Sequence, residues 1–347
     1  MSEPNENDRV AGAVHASAAP PVSYAIVVPT VGRATLYRLL ASLAVQDPSS
    51  GPGQIVVVDD RPGAPPELEL RVGHLEPELV RSGGNGPAAA RNVGWRKAGA
   101  EWVVFLDDDV ELPADWAERL VSDLAGLPAD VAGVQAQIQV PLPTHRRPTD
   151  AERNTAGLAT AAWITADMAY RREALERIGG FDERFRRAYR EDADLAVRLL
   201  SCGWRLNRGR RETLHPVRQD GDWASVRAQA GNADDALMRR RHGPGWREAA
   251  AAPRGRLGWH VVTTACGMTA LAAQAAGARR AAALAAAGWL VLTAQFAWLR
   301  IQPGPATPGE IRRMVFTSIA IPPVATAHRL LGAWRYRNVE PHVQEWT

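Results

Sequence analysis

The chain has 347 residues, of which 46% are apolar, so it is long enough for one large domain with an appendage or for two domains. The formal net charge is only +3, from 41 basic and 38 acidic residues, which is too small to indicate nucleic-acid binding. Cys202 and Cys266 are the only cysteines and lie far apart, so neither a disulfide framework nor a zinc site is expected.

The N-terminal part of the chain begins with a polar stretch and then alternates strands with helices. Residues 1–21 are rich in Ala and Pro and lack the pattern of a signal peptide, so we expect a disordered leader. The first predicted strand is an apolar run over 24–28 that stops at Pro29. Leucines at i, i+3, i+4 and i+7 then predict a helix over 36–43, and a second apolar strand follows over 55–58. This spacing of about 30 residues is typical of a parallel βαβ unit.

The same alternation continues to about residue 218 and predicts an open α/β sheet, in which ligands bind beyond the carboxyl ends of the strands. A Pro-rich loop over 141–150 is long enough to cover such a site. The further predicted strands cover 79–80, 103–106, 131–138, 163–170 and 204–206, and the further predicted helices cover 88–98, 113–124, 171–178 and 190–202.

Three consecutive carboxylates, Asp107, Asp108 and Asp109, follow the buried strand 103–106. Like charges repel at a buried strand end, so we expect a positive group to face them. A divalent cation such as Mg²⁺ or Mn²⁺, completed by substrate phosphates, is the simplest candidate. The alternative is an acidic turn that caps the helix after Pro113.

Two other strand ends carry polar residues to the same predicted edge. Pro29-Thr30 follows the first strand and Asp59-Asp60 follows the second. A carboxylate there can accept a hydrogen bond from a nucleotide base or a ribose hydroxyl. The alternative for Asp59-Asp60 is a turn before Arg61.

The loop 82–87 is rich in glycine but lacks the dinucleotide and P-loop patterns. Its glycines would let a ligand approach the backbone. Arg91, one turn into the next helix, could reach a phosphate or a pyrimidine carbonyl, and its alternative is a solvated helix arginine.

The last candidate side chains lie at the start of helix 190–202 and after the strand that follows it. Glu191, Asp192 and Asp194 complement the helix dipole in one interpretation. In the other interpretation, a carboxylate at the start of this helix acts as a general base. His215 either has a structural role, or the strand and turn that follow the helix bring it back to the metal.

These residues together resemble the inverting family 2 glycosyltransferases of the GT-A fold, over roughly residues 23–218. The resemblance rests on segments that occur in the family's order: 28–30, 57–60, 84 with 90–94, 105–109, 168–172, 179–183 and 191–195. One departure is Asp167, where the family usually carries Asn, and an extra acid there could change acceptor contacts.

The resemblance implies a function and a role for each site residue. It implies transfer of a sugar from a nucleotide-diphosphate donor with Mg²⁺ or Mn²⁺, in one displacement with inversion. It implies that Asp192 and Glu191 are the catalytic residues, with Asp192 as the base. It implies metal ligation by Asp107, Asp109 and His215, and acceptor contacts from Gly180, Phe181 and Asp182. Residues implied to contact the donor are Pro29, Thr30, Arg33, Asp60, Gly84, Arg91, Asp107 and Asp108.

The composition changes near residue 232, so we expect a catalytic domain over 22–232 and a helical region over 233–347. Segments 258–278 and 281–299 lack charged residues and approach the length that spans a bilayer, with tryptophans near their ends. We therefore expect attachment to the cytoplasmic face of a bacterial inner membrane, and an acceptor that is lipid-linked or a glycan of the envelope. The alternative is a set of soluble helices packed on the catalytic domain.

Two other functions compete with glycosyl transfer. A nucleotidyltransferase that makes nucleotide sugars uses a related sheet, but it needs a Gly-rich, basic loop after the first strand, and residues 29–33 contain a single glycine. A non-catalytic membrane scaffold could keep the fold. The intact set of Arg91, Asp107, Asp109 and Asp192 argues against such decay.

Overall fold

The computed structural model describes residues 22–218 and 221–342, so the expected leader at residues 1–21 lies outside the described residues. The strands among them are β1 (Tyr24–Thr30), β2 (Gln54–Asp59), β3 (Glu78–Arg81), β4 (Trp102–Leu106), β5 (Val131–Gln139), β6 (Asp167–Arg171) and β7 (Arg205–Leu214). The helices of the first part are α1 (Thr35–Ala44), α2 (Pro87–Lys97), α3 (Trp116–Leu124), α4 (Asp150–Ala156), α5 (Arg172–Ile178) and α6 (Glu191–Ser201). The later helices are α7 (Ala224–Arg227), α8 (Gly231–His242), α9 (Trp246–Ala249), α10 (Leu257–Ala275), α11 (Arg279–Ile301) and α12 (Pro308–Arg335).

The strands form one mixed sheet in the order β3-β2-β1-β4-β6-β5-β7. β1 is parallel to both β2 and β4, and β2 is parallel to β3, as the βαβ spacing predicts. β6 runs antiparallel to β4 and β5, whereas β7 is parallel to β5. This arrangement places the carboxyl ends of β1, β2 and β4 side by side at one edge.

Each face of the sheet is covered by its own apolar cluster. The four leucines of α1 that repeat with helical spacing are buried with Trp102 and Trp116 on one face. Trp95, Phe181 and Leu195 are buried on the other. The β-strands between them are buried on both sides, which explains why they appear in the sequence as continuous apolar runs.

Several elements differ from the predictions because tertiary contacts set their limits. The predicted strand 163–170 begins only at Asp167, since Gln135 Oε1 accepts from Ile164 N at 3.3 Å and holds the preceding chain in a bend. β7 is longer than predicted because it pairs along β5. The loop 141–150 is followed by α4, which Thr149 and Glu152 begin with a capping box.

The C-terminal helices include a hairpin and a long helix that lies along the rest of the molecule. α10 and α11 form the hairpin, and from Leu271 to Leu290 only Ala282 is buried, so its tip projects from the rest of the molecule. At the other end of the hairpin Arg300 donates to Asp150 Oδ2 at 2.6 Å and to Thr317 Oγ at 2.8 Å, which fixes α11 to α4 and α12.

The Pro322-Pro323 pair does not interrupt the last long helix. α12 continues through both prolines as a helix of 28 residues. Contacts hold both of its ends: Glu310 Oε1 accepts from Asp150 N at 2.8 Å, and Gly332 packs so closely on Ala233 of α8 that a Cβ would lie 2.5 Å from its Cα. Packing along this length outweighs the backbone hydrogen bonds that the prolines remove.

Two helices among the described residues are long and apolar enough to cross a membrane, α11 and α12. Only 17% and 33% of their most apolar windows are buried, so they are not core helices of a compact domain. The segment 281–299 corresponds to α11. The segment 258–278 corresponds to α10, which is not one of these two helices. The expected boundary between residues 232 and 233 falls inside α8.

Candidate functional site

The carboxyl ends of three parallel strands meet at one edge of the sheet. β1 ends at Thr30, β2 ends at Asp59, and Asp107 follows β4 directly. The register pairs Thr30 with Asp59, and Thr30 Oγ donates to Asp108 Oδ2 at 2.6 Å. The polar groups that follow three separate strands are therefore brought together in one crevice.

Asp107, Asp109 and His215 form a cluster with the composition of a metal site. One potential ligand atom from each of the three side chains lies within 4.8 Å of the other two. Asp109 is buried, and its Oδ1 has no hydrogen-bond partner among the described residues but lies 3.7 Å from His215 Nε2. Two carboxylates and an imidazole suit Mn²⁺, and two carboxylates suit Mg²⁺. The donor set therefore fits a divalent cation.

His215 reaches this cluster because β7 is fixed on both sides. Leu214 exchanges two backbone hydrogen bonds of 2.9 Å with Glu111, just beyond the acids, and His215 N donates to Gln139 O at 2.8 Å. The strand and turn after α6 thus return this histidine to the three acids, as expected from the sequence.

Asp108 points away from the cluster. Its Oδ2 accepts from Thr30 Oγ and its Oδ1 accepts from Arg33 Nη1 at 2.8 Å, and the carboxylate is buried. Thr30 Oγ accepts in turn from Gly32 N at 3.0 Å. Asp108 therefore holds the loop after β1, while Asp107 and Asp109 on either side of it face the candidate metal position.

Arg91 is almost completely buried, with 2% of its surface exposed. Its Nη2 donates to Asp107 Oδ1 at 2.9 Å and its Nη1 donates to Glu191 Oε1 at 2.8 Å. The ring of Phe181 lies 5.7 Å from the guanidinium. The solvated-arginine alternative is therefore wrong: Arg91 connects the metal-side acids to the acids of α6.

The two acids that begin α6 have different surroundings. Glu191 is buried, and burial followed by the charge of Asp192 raises the pKa of Glu191 to about 8. Burial likewise raises the pKa of Asp192, although its side chain is only half-buried and its Oδ1 accepts from Ala193 N at 2.7 Å. Glu191 is closed off behind Arg91, so Asp192 is the more accessible acid of the pair.

Asp60 organises the glycine-rich loop. Its Oδ1 accepts from Ser82 Oγ at 2.7 Å and from Asn85 N at 2.9 Å, and its Oδ2 accepts from Gly86 N at 2.9 Å. Gly84 and Gly86 have positive φ.

The loop glycines were expected to give a ligand access to the backbone, but their Cβ positions face protein. A Cβ at Gly84 would lie 2.9 Å from Pro62 Cβ, and one at Gly86 would lie 2.7 Å from Arg186 O. The glycines are therefore required by backbone conformation and by packing. Asp59, which forms a two-pronged ion pair with Arg61, fits the turn alternative.

A cavity of about 380 Å³ opens at this edge, and three of its arginines were not expected from the sequence. Arg186 and Arg187 lie between Phe181 and α6. The only feature of the sequence that could have indicated them is that this basic pair comes shortly before the acids of α6. Arg218 follows His215 and donates to Asp109 Oδ2. All eight residues that the resemblance implied for the donor line this cavity: Pro29, Thr30, Arg33, Asp60, Gly84, Arg91, Asp107 and Asp108.

The residues expected to contact the acceptor serve packing in this structure. Gly180 and Phe181 are buried, and Gly180 O accepts from Arg198 Nη2 at 2.8 Å. Asp182 pairs with Arg184 at 2.7 Å and with Arg241 at 3.2 Å. None of the three lines the cavity, so their placement supports α6 and does not favour an acceptor contact.

The expectation that Asp167 changes acceptor contacts was wrong. This carboxylate is completely buried and accepts from Trp116 Nε1 at 2.7 Å, from Arg211 Nη2 at 2.8 Å and from Thr213 Oγ at 2.5 Å. It therefore joins α3, β6 and β7 inside the domain. Replacing it would leave the buried Arg211 with Asp123 as its remaining carboxylate partner and would therefore cost stability.

The sequence model of "Glycosyl transferase family 2" matches residues 25–179. The pre-mycofactocin glycosyltransferases of two Mycobacterium tuberculosis strains, CDC 1551 / Oshkosh and ATCC 25618 / H37Rv, are each 30% identical over 227 residues. The match covers 60% of this chain and 46% of each relative, so the chain spans about half the length of these relatives. The matches are to glycosyltransferases and do not favour the nucleotidyltransferase alternative.

Among solved structures the chain is similar to the mannosyltransferase PcManGT from Pyrobaculum calidifontis, in complex with GDP-Man and Mn²⁺. The TM-score is 0.51 at 22% sequence identity, covering 90% of this chain and 89% of that one. At this identity the likeness shows the fold alone. It confirms the expected α/β fold of the GT-A class.

Proposed function

We propose that this chain moves a sugar from a nucleotide-diphosphate donor to an acceptor hydroxyl with inversion, a proposal supported by the match of residues 25–179 to the model of "Glycosyl transferase family 2". One observation carries the proposal. Arg91 links a candidate metal cluster to Glu191 of the acid pair that begins α6, and the cavity beside them carries several further arginines.

The donor would bind in the cavity at the strand ends. Arg33, Arg186, Arg187 and Arg218 line it, and guanidinium groups bind phosphate oxygens in pairs of parallel hydrogen bonds. The loop held by Asp60 forms the opposite wall. This combination suits a nucleotide whose diphosphate lies toward β4.

Asp107, Asp109 and His215 would hold Mg²⁺ or Mn²⁺. A divalent cation bound there would neutralise the negative charge that develops on the leaving diphosphate. Arg218, now paired with Asp109, is long enough to turn toward a bound diphosphate. Arg91 keeps Asp107 in position through the charge-assisted hydrogen bond at 2.9 Å.

Asp192 would accept the proton of the acceptor hydroxyl as that oxygen attacks the anomeric carbon. The raised pKa of Asp192 makes it a stronger base than an exposed aspartate. Glu191, paired with Arg91, would orient the start of α6. A single displacement of this kind inverts the anomeric configuration.

We further propose that the chain is attached to the cytoplasmic face of a bacterial inner membrane and that its acceptor is lipid-linked or a growing glycan. The support is the projecting hairpin of α10 and α11 together with the exposed apolar side of α12. Because α12 is fixed to Asp150 at one end and to Ala233 of α8 at the other, α12 would lie in the interface plane and not cross the bilayer.

The experiment is a screen of purified nucleotide-diphosphate sugars, GDP-mannose among them, with the full chain and Mn²⁺. Release of the nucleoside diphosphate is measured with and without EDTA, and the anomeric configuration of the product is read by NMR. Turnover that needs the metal and gives inversion is expected. Full turnover in EDTA, or a product of retained configuration, contradicts the mechanism.

A further inference from the structure

A second cavity, of about 560 Å³, lies between α8 and the C-terminal end of α12. Its volume is within the roughly 300–1,000 Å³ range of small-molecule sites. Arg239 and Arg240 enter it from α8, Arg329 from α12, and Arg337 from the chain just after α12. Four guanidinium groups therefore surround one space, separate from the donor cavity.

No acid among the described residues forms a hydrogen bond or an ion pair with the four arginines of this cavity. Arg240 donates to Val339 O at 2.6 Å and Arg337 donates to Trp334 O at 2.8 Å, so these two arginines hold the chain after α12. Arg239 and Arg329 form no hydrogen bond and no ion pair with the described residues.

Asp235 of α8 acts electrostatically on Arg329, but it is shared with two other arginines. Asp235 Oδ1 accepts from Arg190 Nε at 2.9 Å, and its Oδ2 accepts from Arg247. One carboxylate shared in this way cannot balance the four arginines of the cavity. Four like charges around one cavity repel, and an anion with several oxygens would relieve that repulsion.

An exposed apolar surface adjoins the cavity. Leu330, Leu331 and Trp334 lie on the same turns of α12 and are 65%, 58% and 67% exposed. Arg337 packs on the Trp334 ring at 4.8 Å, so a cation and an interfacial aromatic side chain are in contact. Basic residues next to exposed Leu and Trp on a helix are typical of a surface that lies in the headgroup region of a membrane.

We propose that the cavity between α8 and α12 binds the phosphate of an anionic phospholipid, while Leu330, Leu331 and Trp334 enter the boundary with the acyl chains. Arg239 and Arg329 would form the main contacts with the phosphate oxygens, since their guanidinium groups are not otherwise used. The proposal rests on the membrane attachment proposed above and adds a lipid preference to it.

The test uses the full chain and two kinds of vesicle, phosphatidylcholine alone and phosphatidylcholine mixed with phosphatidylglycerol. Binding is measured by flotation at physiological salt. The wild-type chain is expected to bind the anionic vesicles more tightly. The variant Arg239→Gln/Arg329→Gln is expected to lose about tenfold or more of its affinity for them, because each arginine contributes attraction at an anionic surface.

The matched control is Arg177→Gln/Arg210→Gln, which removes the same charge from exposed side chains that do not lie on the C-terminal helices. It is expected to change the affinity by less than about threefold. Equal losses in the two variants would show that only net charge matters and would overturn the proposal. Circular dichroism checks that both variants are folded.

Further outcomes separate this proposal from the earlier ones. Equal binding of the wild-type chain to both kinds of vesicle overturns the lipid site but leaves membrane attachment standing. Binding to neither overturns both, while donor turnover still tests glycosyl transfer. Inorganic phosphate that binds the cavity as tightly as the anionic vesicles do would assign the site to free phosphate and overturn the lipid source.

Discussion

Arg91 Nη1 lies 2.8 Å from Glu191 Oε1, a contact that joins α2 to the start of α6 across 100 positions of sequence. The same guanidinium holds Asp107 through its other terminal nitrogen. Both ends of the proposed chemistry, the departing diphosphate and the acceptor hydroxyl, would therefore be positioned by one side chain. The predictions below begin with it.

Arg91→Lys should lower kcat by at least about tenfold while the protein stays folded. One ammonium keeps the charge but cannot span Asp107 and Glu191 as the two terminal nitrogens of the guanidinium do. Arg91→Ala should instead cost about 3–5 kcal/mol of stability, because it leaves the buried carboxylate of Glu191 unpaired. The measurements are turnover and thermal unfolding. Arg96→Lys, an exposed change on the same helix, is the control, and equal activity of both lysine variants would contradict the bridging role.

Asp109→Asn should weaken Mn²⁺ binding at least about tenfold, because it changes a proposed metal ligand. Mutation of residues that only support the ligands of a metal already lowers metal affinity or activity about 10–100-fold. Asp108→Asn is the neighbouring control. It loses contacts with Thr30 and Arg33 but should keep the metal, because Asp108 faces away from the cluster. Isothermal titration with Mn²⁺ alone separates the two. Similar metal affinities in both variants would show that Asp109 is not a ligand.

Asp192→Asn should lower kcat by at least about a hundredfold, the usual minimum for loss of a general base. Donor affinity should be nearly unchanged, since Asp192 does not line the donor cavity. Glu191→Gln should keep more activity, because the amide oxygen can still accept from Arg91. If Asp192→Asn loses donor binding and retains kcat, Asp192 is a binding residue.

Asp234→Asn should raise the stability of the protein at neutral pH. The carboxylate is buried, its Oδ2 has no hydrogen-bond partner among the described residues, and burial raises its pKa to about 6. Because the pKa of Asp234 is higher in the folded than in the unfolded protein, the free energy of unfolding falls as the pH rises from about 4 to about 6. Melting temperatures of the variant and the wild type should therefore agree near pH 4 and diverge above pH 6.

The exposed Asp222→Asn serves as the control for this measurement. It should follow the wild-type melting curve at every pH. A constant difference between Asp234→Asn and the wild type from pH 4 to pH 8 would show that the titration of Asp234 does not contribute.

The full chain should sediment with membranes and resist a high-salt wash, since apolar area and not charge alone would hold the hairpin. Changing Leu271, Leu284 and Leu290 to Gln should move it toward the soluble fraction without changing its melting temperature, because all three are exposed. The matched control changes Val45, Leu142 and Leu200, exposed residues outside the C-terminal helices, to Gln. A full chain that stays soluble without detergent would contradict attachment.

The sequence by itself determined the strands β1, β2 and β4 and the polar groups that follow them. Buried parallel strands are short continuous apolar runs, so their ends are visible wherever a run meets proline or aspartate. The position of Asp107 and Asp109 at the binding edge follows from that pattern and from the rule that ligands bind beyond such ends. The helix that begins at Glu191 is likewise visible from its spacing.

Only the tertiary structure decided which charges meet. Arg91 reaches Glu191, Arg211 reaches Asp167, and Arg300 reaches Asp150, and each pair joins residues far apart in sequence. An arginine looks the same in a sequence whether it is solvated or buried, because its side chain is long and its partner is chosen by the packing of separate elements. α12 continues through Pro322-Pro323 for a related reason: local propensity opposes the helix, and contacts along its whole length with the rest of the molecule overcome that local cost.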